Sequence, residues 1–141
     1  MRFWDSSALV ALLVDEPTSA AVRTVYRASP GIVVWWGCPV ECASALGRRE
    51  AEGSLSAAEG QEAAGYLGEL ESSWSEIPPT DQLRSRAVRL VRVHRLRTGD
   101  ALQLAAALAA SEERPATLDL VTLDERLALA ARREGFTVLP G

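Results

Sequence analysis

Four carboxylates occur where the sequence passes from one predicted structural element to the next. Asp5 ends a short apolar run near the N-terminus, and Asp124 follows a later one. Glu41 lies shortly after a third apolar run, and Asp100 begins a stretch that is apolar nearly all round. A buried carboxylate is costly unless it is paired or binds a metal ion, and clustered carboxylates raise one another's pKa. A divalent cation removes that penalty, and ligands that are all oxygen suit Mg²⁺ or Mn²⁺.

The chemistry expected of such a cluster is metal-assisted hydrolysis. Bound Mg²⁺ or Mn²⁺ activates water and stabilises charge on a phosphoryl group during an in-line displacement. Ser7 and Thr122, each two residues from an acid, are candidates to hold the acids in place by hydrogen bonds. Helix capping is the alternative role for both hydroxyls. Because the helix dipole favours acids in a first helical turn, Glu41 and Asp124 taken singly also have a purely structural explanation.

Strands and helices alternate along the chain, which indicates an α/β fold with a parallel sheet. Short apolar runs predict strands at 3–5, 32–35, 74–77, 118–121 and 136–139. Helical spacing predicts the helices at 7–14, 18–28, 39–52, from 56 to the third strand, 80–95, 101–110 and 124–134. Ser6 or Ser7 is the expected N-cap of the first helix. Strand 3–5 is expected at the centre of the sheet, with the four acids gathered at the carboxyl edge.

Length and composition predict one cytoplasmic domain. The chain has 141 residues, 48% of them hydrophobic, enough for one sizeable core. No apolar run is long enough to span a membrane, and Asp5 interrupts any signal-peptide core. Cys38 and Cys42 are expected to be reduced, half-buried thiols, and a single histidine, His94, argues against zinc. The net charge of −4 argues against a protein that coats duplex DNA but is compatible with an acidic nuclease site.

Four segments in order along the whole chain carry a family resemblance: FWDSSALVAL, PVECASAL, LRTGDALQLAAAL and LVTLDERLALAARREGFTVLP. Together they resemble the PIN domain, and specifically the virulence-associated protein C (VapC) toxins of bacterial toxin–antitoxin pairs. The resemblance implies one three-layer α/β/α domain over residues 1–141 with a central parallel sheet. It implies a Mg²⁺- or Mn²⁺-dependent endoribonuclease that cleaves single-stranded or looped RNA by attack of metal-activated water. A cognate antitoxin and a homodimer are also implied.

The resemblance assigns roles to individual residues. Asp5, Glu41, Asp100 and Asp124 take the acidic positions of the family and would be metal ligands and catalytic residues. An arginine-rich segment, residues 84–97, precedes Asp100. It is interpreted either as a phosphate-binding surface or as a solvated helix face. Only Arg97 is close enough in sequence to the acids to be named as a contact for RNA phosphate.

Three assignments stay open at this stage. Asp119 lies close to Asp124, but it falls within an apolar run, so Asp124 is preferred as the fourth acid. The pair Trp35-Trp36 is interpreted as core or dimer packing, with base stacking as the alternative. Residues 55–74 are predicted to form a pliable helical arm whose exposed apolar side chains are available to an antitoxin or a second subunit.

Three other functions could also use acids at strand ends or a PIN-like fold. A receiver-like signalling module also gathers acids at strand ends, but it would need a lysine near the last strand, and the chain has no lysine. A haloacid dehalogenase-type phosphohydrolase would need a second aspartate two residues after Asp5, where Ser7 stands. A PIN-like binding module without catalysis is disfavoured by the four acids but remains the alternative to an enzyme.

Overall fold

The computed structural model describes residues 1 to 141 as five short strands, seven α-helices and a 3-10 turn at Pro115–Thr117. The strands are β1 Arg2–Trp4, β2 Ile32–Trp35, β3 Ser75–Ile77, β4 Leu120–Val121 and β5 Val138–Leu139. The helices are α1 Ser6–Leu13, α2 Ser19–Ala28, α3 Cys38–Glu52, α4 Ala57–Glu71, α5 Asp81–His94, α6 Thr98–Ala110 and α7 Glu125–Glu134. Every predicted strand and helix is present, with ends that differ by a few residues.

All five strands are parallel and lie in the order β3-β2-β1-β4-β5. The prediction that the first strand lies at the centre, between the second and the fourth, is confirmed. The chain builds one half of the sheet outward from β1 to β3 and the other half from β4 to β5. The order therefore reverses between β1 and β4, and ligands bind open α/β sheets at such a switch point, beyond the carboxyl ends of the strands.

Successive residues of β1 face opposite sides of the sheet, as the two-residue period of a strand requires. Phe3 packs in a core with side chains of α5, α6 and α7. Trp4 packs in a second core with side chains of α1, α2, α3 and α4. Both side chains are fully buried. The three-layer α/β/α architecture predicted from the sequence is confirmed, and near-continuous burial of the strands follows from helices on both faces.

Helix ends differ from expectation at two places near the sheet edge. The N-cap of α1 is Asp5 itself, not Ser6 or Ser7, because its carboxylate accepts hydrogen bonds from the backbone N–H groups of Ser7 and Ala8. Helix α6 begins at Thr98 and has no side-chain cap. Helix α7 is capped by Asp124, which accepts from Leu127 N. Acids at these ends thus also take structural roles.

Two further expectations concern buried side chains. Cys38 and Cys42 are free thiols, as predicted, but both are fully buried, with their sulfur atoms 3.9 Å apart. Helix α4 packs on α3 and α1, and Tyr66 is its large exposed side chain, at 48% exposure. No helix of the fold is both long and apolar enough to cross a membrane.

Candidate active site

Asp5 lies at the base of the site, directly after central strand β1. Its side chain is 3% exposed. Oδ1 accepts hydrogen bonds from Ser7 N at 2.5 Å, Ser7 Oγ at 2.6 Å and Ala8 N at 3.2 Å. Burial raises the pKa of Asp5, and the hydrogen bonds from Ser7 and Thr122 oppose that shift. The carboxylate is therefore held in a fixed orientation at the switch point of the sheet.

Thr122 connects Asp5 with the loop that follows β4. Its hydroxyl donates to Asp5 Oδ2 at 2.5 Å and accepts from Asp124 N at 3.0 Å. The Ser7 hydroxyl lies 3.3 Å from it and accepts from Leu123 N at 2.9 Å. The structure thus places both hydroxyls, named from the sequence as supports for the acids, in contact with Asp5.

Glu41 reaches the site from the first turn of α3. Its Oε1 accepts a hydrogen bond from Gln103 Nε2 at 2.9 Å. Gln103 lies one turn after Asp100 on α6 and is 1% exposed, and its own Oε1 has no hydrogen-bond partner. The amide N–H of Gln103 therefore orients Glu41, at the cost of burying a carbonyl oxygen without a partner. Sequence reasoning missed this residue.

Asp100 and Asp124 stand in the first turn of α6 and at the N-cap of α7. No side chain or backbone group of the protein donates a hydrogen bond to either oxygen of Asp100. Arg97 and Arg126 flank Asp100, and their positive charges favour its ionised form. Arg126 was also missed, although its position two residues after Asp124 was a usable signal.

The four acids influence one another electrostatically. Burial raises the pKa of Glu41 to about 7, and the charges of Asp5 and Asp100 add to that shift. Burial raises the pKa of Asp100 to about 6, and the charges of Asp124 and Asp5 add to it. Mutual repulsion of this kind is expected where carboxylates lie close together. The acids therefore lie near enough to one another for the charges of Asp5, Asp100 and Asp124 to act on Glu41 and Asp100.

Two surface grooves meet at these acids. The first, of about 670 Å³, is lined by residues that include Ser7, Glu41, Arg48 and Asp124. The second, of about 440 Å³, is lined by Arg97, Asp100, Asp124, Glu125 and Arg126. Asp124 borders both, so the acids stand at the junction of two open depressions that an extended ligand can enter from either side.

The donor set fits a hard divalent cation. Four carboxylates offer only oxygen, which suits Mg²⁺ or Mn²⁺. Asp100 keeps both oxygens free of protein hydrogen bonds, and Asp124 keeps Oδ2 free. No three Asp, Glu, His or Cys side chains converge closely enough to surround one ion in their present positions. Ion binding would thus require rotation of the partly exposed carboxylates.

Other residues singled out in the sequence lie away from the acids. Asp119 precedes β4 at the opposite edge of the sheet, with Oδ2 3.4 Å from Arg2 Nε. Trp35 is a core residue, whereas Trp36 is 55% exposed. Of the arginine-rich segment, only Arg97 lines the groove that contains Asp100. Asp124 and Arg97, unlike Asp119, therefore line the same groove as Asp100.

Comparison with known proteins gives concordant results. The family model described as "PIN domain" matches residues 2–133. Ribonucleases VapC45 and VapC49, from two strains of Mycobacterium tuberculosis, are each 30% identical to the chain. Both alignments cover 98% of the chain and 94% of the relative.

Solved structures resemble the fold at lower identity. "Mycobacterium tuberculosis VapC20, Sarcin-Ricin loop cleaving toxin" superposes with a TM-score of 0.70 at 15% identity, covering 97% of both chains. A chain of a "Toxin-antitoxin complex from Klebsiella pneumoniae" gives 0.64 at 16% identity, covering 88% of this chain and 87% of that one. Together with the match over residues 2–133, these comparisons show that the chain belongs to the PIN domain family.

Proposed function

We propose that this chain is the toxin of a type II toxin–antitoxin pair and a Mg²⁺- or Mn²⁺-dependent endoribonuclease. The observation that carries the proposal is the meeting of Asp5, Glu41, Asp100 and Asp124 at the sheet's switch point. There the charges of neighbouring acids add to the raised pKa values of Glu41 and Asp100. Helix capping alone does not account for Asp100, because its carboxylate accepts no hydrogen bond from the protein. The 30% identical relatives are named ribonucleases.

Asp5, Glu41, Asp100 and Asp124 are the proposed ligands of the cation and the catalytic residues. When bound, Mg²⁺ or Mn²⁺ would supply a water of lowered pKa and would neutralise charge on the phosphoryl oxygens. Asp5 is held by Ser7 and Thr122, so it forms the fixed part of the site. Asp100 has both oxygens free of protein hydrogen bonds and is only half-buried, so it forms the adjustable part.

Arg97 and Arg126 are proposed to receive the substrate phosphate. A phosphodiester carries a negative charge and is repelled by four acids unless cations stand beside them. Both arginines line the groove that contains Asp100 and Asp124, and neither forms an ion pair with a carboxylate. Their guanidinium groups are therefore free to bind phosphate oxygens in the bidentate geometry that arginine favours.

The substrate is proposed to be single-stranded or looped RNA, cleaved in the cytoplasm and protected by a cognate antitoxin. One protein of similar fold is a sarcin-ricin loop cleaving toxin, and another is part of a toxin–antitoxin complex. An open groove at the surface suits an unpaired strand, whose backbone can follow it without a duplex partner. A homodimer is proposed as the assembled form.

The alternative is a PIN-like module that binds RNA or antitoxin without cleaving. The absence of three converged acids favours it, since no ion fits without rotation of side chains. The test is incubation of purified protein with an unstructured RNA in Mg²⁺, in Mn²⁺ and in EDTA. Fragments that appear only with metal support the enzyme. Binding without fragments under every condition would establish the module instead.

A further inference from the structure

Four arginines near the acid cluster have no partner in the protein. Arg95, Arg97, Arg126 and Arg133 form neither an ion pair nor a side-chain hydrogen bond, and all four are exposed. Their neighbour Arg86 differs, because it pairs with Glu113 and Glu134. Unpaired cations gathered on a protein of net charge −4 create a local positive potential that attracts anions.

Three of these arginines line a groove of their own. This groove, of about 190 Å³, is bordered by the end of α5 and by α7. We call it the α5–α7 groove, and its lining consists of His94, Arg95, Leu96, Arg126, Leu129, Ala130 and Arg133. No carboxylate lines it. Leu96 and Ala130 are buried, whereas Leu129 is 49% exposed. The groove therefore combines cationic side chains with an apolar surface.

The α5–α7 groove continues from the groove of the acids. Arg126 lines both, so the two depressions share a wall. Arg126, Leu129 and Arg133 recur at the three- and four-residue spacing of one face of α7. Since a helix rises about 1.5 Å per residue, Arg126 and Arg133 lie about 10 Å apart along the helix. A ligand that starts at Asp100 can follow this face away from the acids.

We propose that the α5–α7 groove is a phosphate-binding extension of the active site, along which the RNA strand leaves the acids. Arg95 and Arg133 would each bind one backbone phosphate, and Leu129 would contact sugar or base. This inference rests on the proposed ribonuclease function. It adds that nucleotides on one side of the scissile phosphate bind in this groove and increase the affinity for RNA. An acidic protein segment is the competing occupant. The groove's continuity with the acids favours RNA, because the strand must extend from the scissile phosphate.

The test compares two pairs of substitutions that change charge equally. The groove variant is Arg95→Asn with Arg133→Gln, where asparagine tolerates the left-handed backbone at residue 95, whose φ is 54°. The matched control is Arg92→Gln with Arg132→Gln. Arg92 lies on α5, just before Arg95, and Arg132 lies on α7 beside Arg133. Both are exposed and unpaired, and neither lines any of the three grooves. All proteins also carry Asp100→Asn, so that RNA stays intact during binding.

Binding of a fluorescent oligouridylate is measured by anisotropy across a series of salt concentrations. Each phosphate contact with a single strand contributes about −0.7 to the slope of log K against log salt, so loss of two contacts should reduce the slope by about 1.4. By the same relation, affinity at 0.1 M salt should fall about 25-fold, with the difference vanishing towards 1 M. The control pair should bind like the parent protein.

The possible results distinguish failure of the groove proposal from failure of the proposed ribonuclease function. Equal slopes in the groove variant and the control would overturn the groove proposal, and would leave the groove to an acidic protein partner. Equal loss in both variants would overturn it too, since general charge would then account for binding. Protein without these substitutions is assayed in parallel for Mn²⁺-dependent cleavage. If this protein cleaves RNA, a negative result for the groove leaves the proposed ribonuclease function standing. If it neither cleaves nor binds RNA, both proposals are overturned.

Discussion

The hydroxyl of Thr122 donates a hydrogen bond of 2.5 Å to Asp5 Oδ2, although 117 positions separate the two residues in the chain. The bond crosses the point where the strand order of the sheet reverses, because Asp5 follows β1 and Thr122 follows β4. The same hydroxyl accepts from Asp124 N. One side chain thus fixes the position of one proposed ligand and the backbone of another.

Replacement of Thr122 tests this support. Thr122→Val keeps the shape but removes the hydroxyl, leaving Asp5 Oδ2 and Asp124 N without this partner. We expect a loss of about 1–3 kcal/mol in the free energy of unfolding and of about 10–100-fold in metal affinity or cleavage rate. Thr122→Ser retains the hydroxyl and is the control. Unchanged metal affinity in Thr122→Val, measured by calorimetry, would show that the hydroxyl does not act on the ligands.

Gln103 is predicted to act through Glu41. Gln103→Met retains length but removes the amide that donates to Glu41 Oε1. We expect cleavage to fall about 10–100-fold, the range for residues that orient metal ligands, with little change in melting temperature. In a Glu41→Gln background, the same substitution should have little further effect, because its target is already gone. Full additivity of the two losses would contradict the proposed pathway through Glu41.

Stability without metal is predicted to fall as pH rises. The pKa values of Glu41 and Asp100 are raised from 4.5 to about 7 and from 3.8 to about 6. The folded state therefore binds more protons than the unfolded state between these values, and the free energy of unfolding decreases with pH there. Glu41→Gln with Asp100→Asn removes both titrations.

The measurement is the melting temperature in EDTA across about pH 4 to 8, a window that spans the unfolded and folded pKa values of both groups. The double variant should gain stability relative to the parent protein as pH rises, since neutral amides carry no mutual repulsion. Added Mn²⁺ should stabilise the parent protein most at the upper end, where its acids are ionised. A constant difference between the two proteins across this window would contradict the prediction.

Helix α4 is predicted to serve a protein partner. Tyr66 and Leu70 line a groove of about 520 Å³ between α4, α2 and the end of α1, lined mostly by apolar side chains. Tyr66→Ala with Leu70→Ala should weaken dimerisation or antitoxin binding at least about tenfold, because buried aromatic anchors dominate interfaces. Val88→Ala, at an apolar position of α5 that is 60% exposed, is the control. Sedimentation and calorimetry that detect no change in a folded variant would exclude the arm as an interface.

The fold could be predicted from the sequence because the patterns that indicate its strands and helices are local. The apolar runs around Phe3, Val33 and Leu120 are too short for helices, and helical segments separate them, so a parallel sheet was the consistent outcome. Asp5 at the end of such a run then had few places to lie except the edge of the sheet. The role of Asp5 as the N-cap of α1 was not predicted, because Ser6 and Ser7, which follow it, satisfy the same capping preference.

The rest of the site depends on contacts between distant parts of the chain. Gln103 reads as one polar residue within an apolar helix, and only the packing of α6 against α3 shows that it meets Glu41. Arg126 reads as an exposed helix residue until Asp100 is placed beside it. Arg133 lies a further two turns along α7, so its groove emerges only when α5 and α7 are adjacent.

The central claim is that Asp100 holds a catalytic cation. Asp100→Asn keeps the size of the side chain and the N-terminal turn of α6, but it removes the charge that attracts the ion. We predict that cleavage of single-stranded RNA in Mg²⁺ or Mn²⁺ falls at least about 1000-fold, equivalent to about 4 kcal/mol of transition-state stabilisation. The variant should melt at or above the temperature of the parent protein in EDTA, because one like charge is gone. Retention of full metal-dependent cleavage by this folded variant would contradict the account.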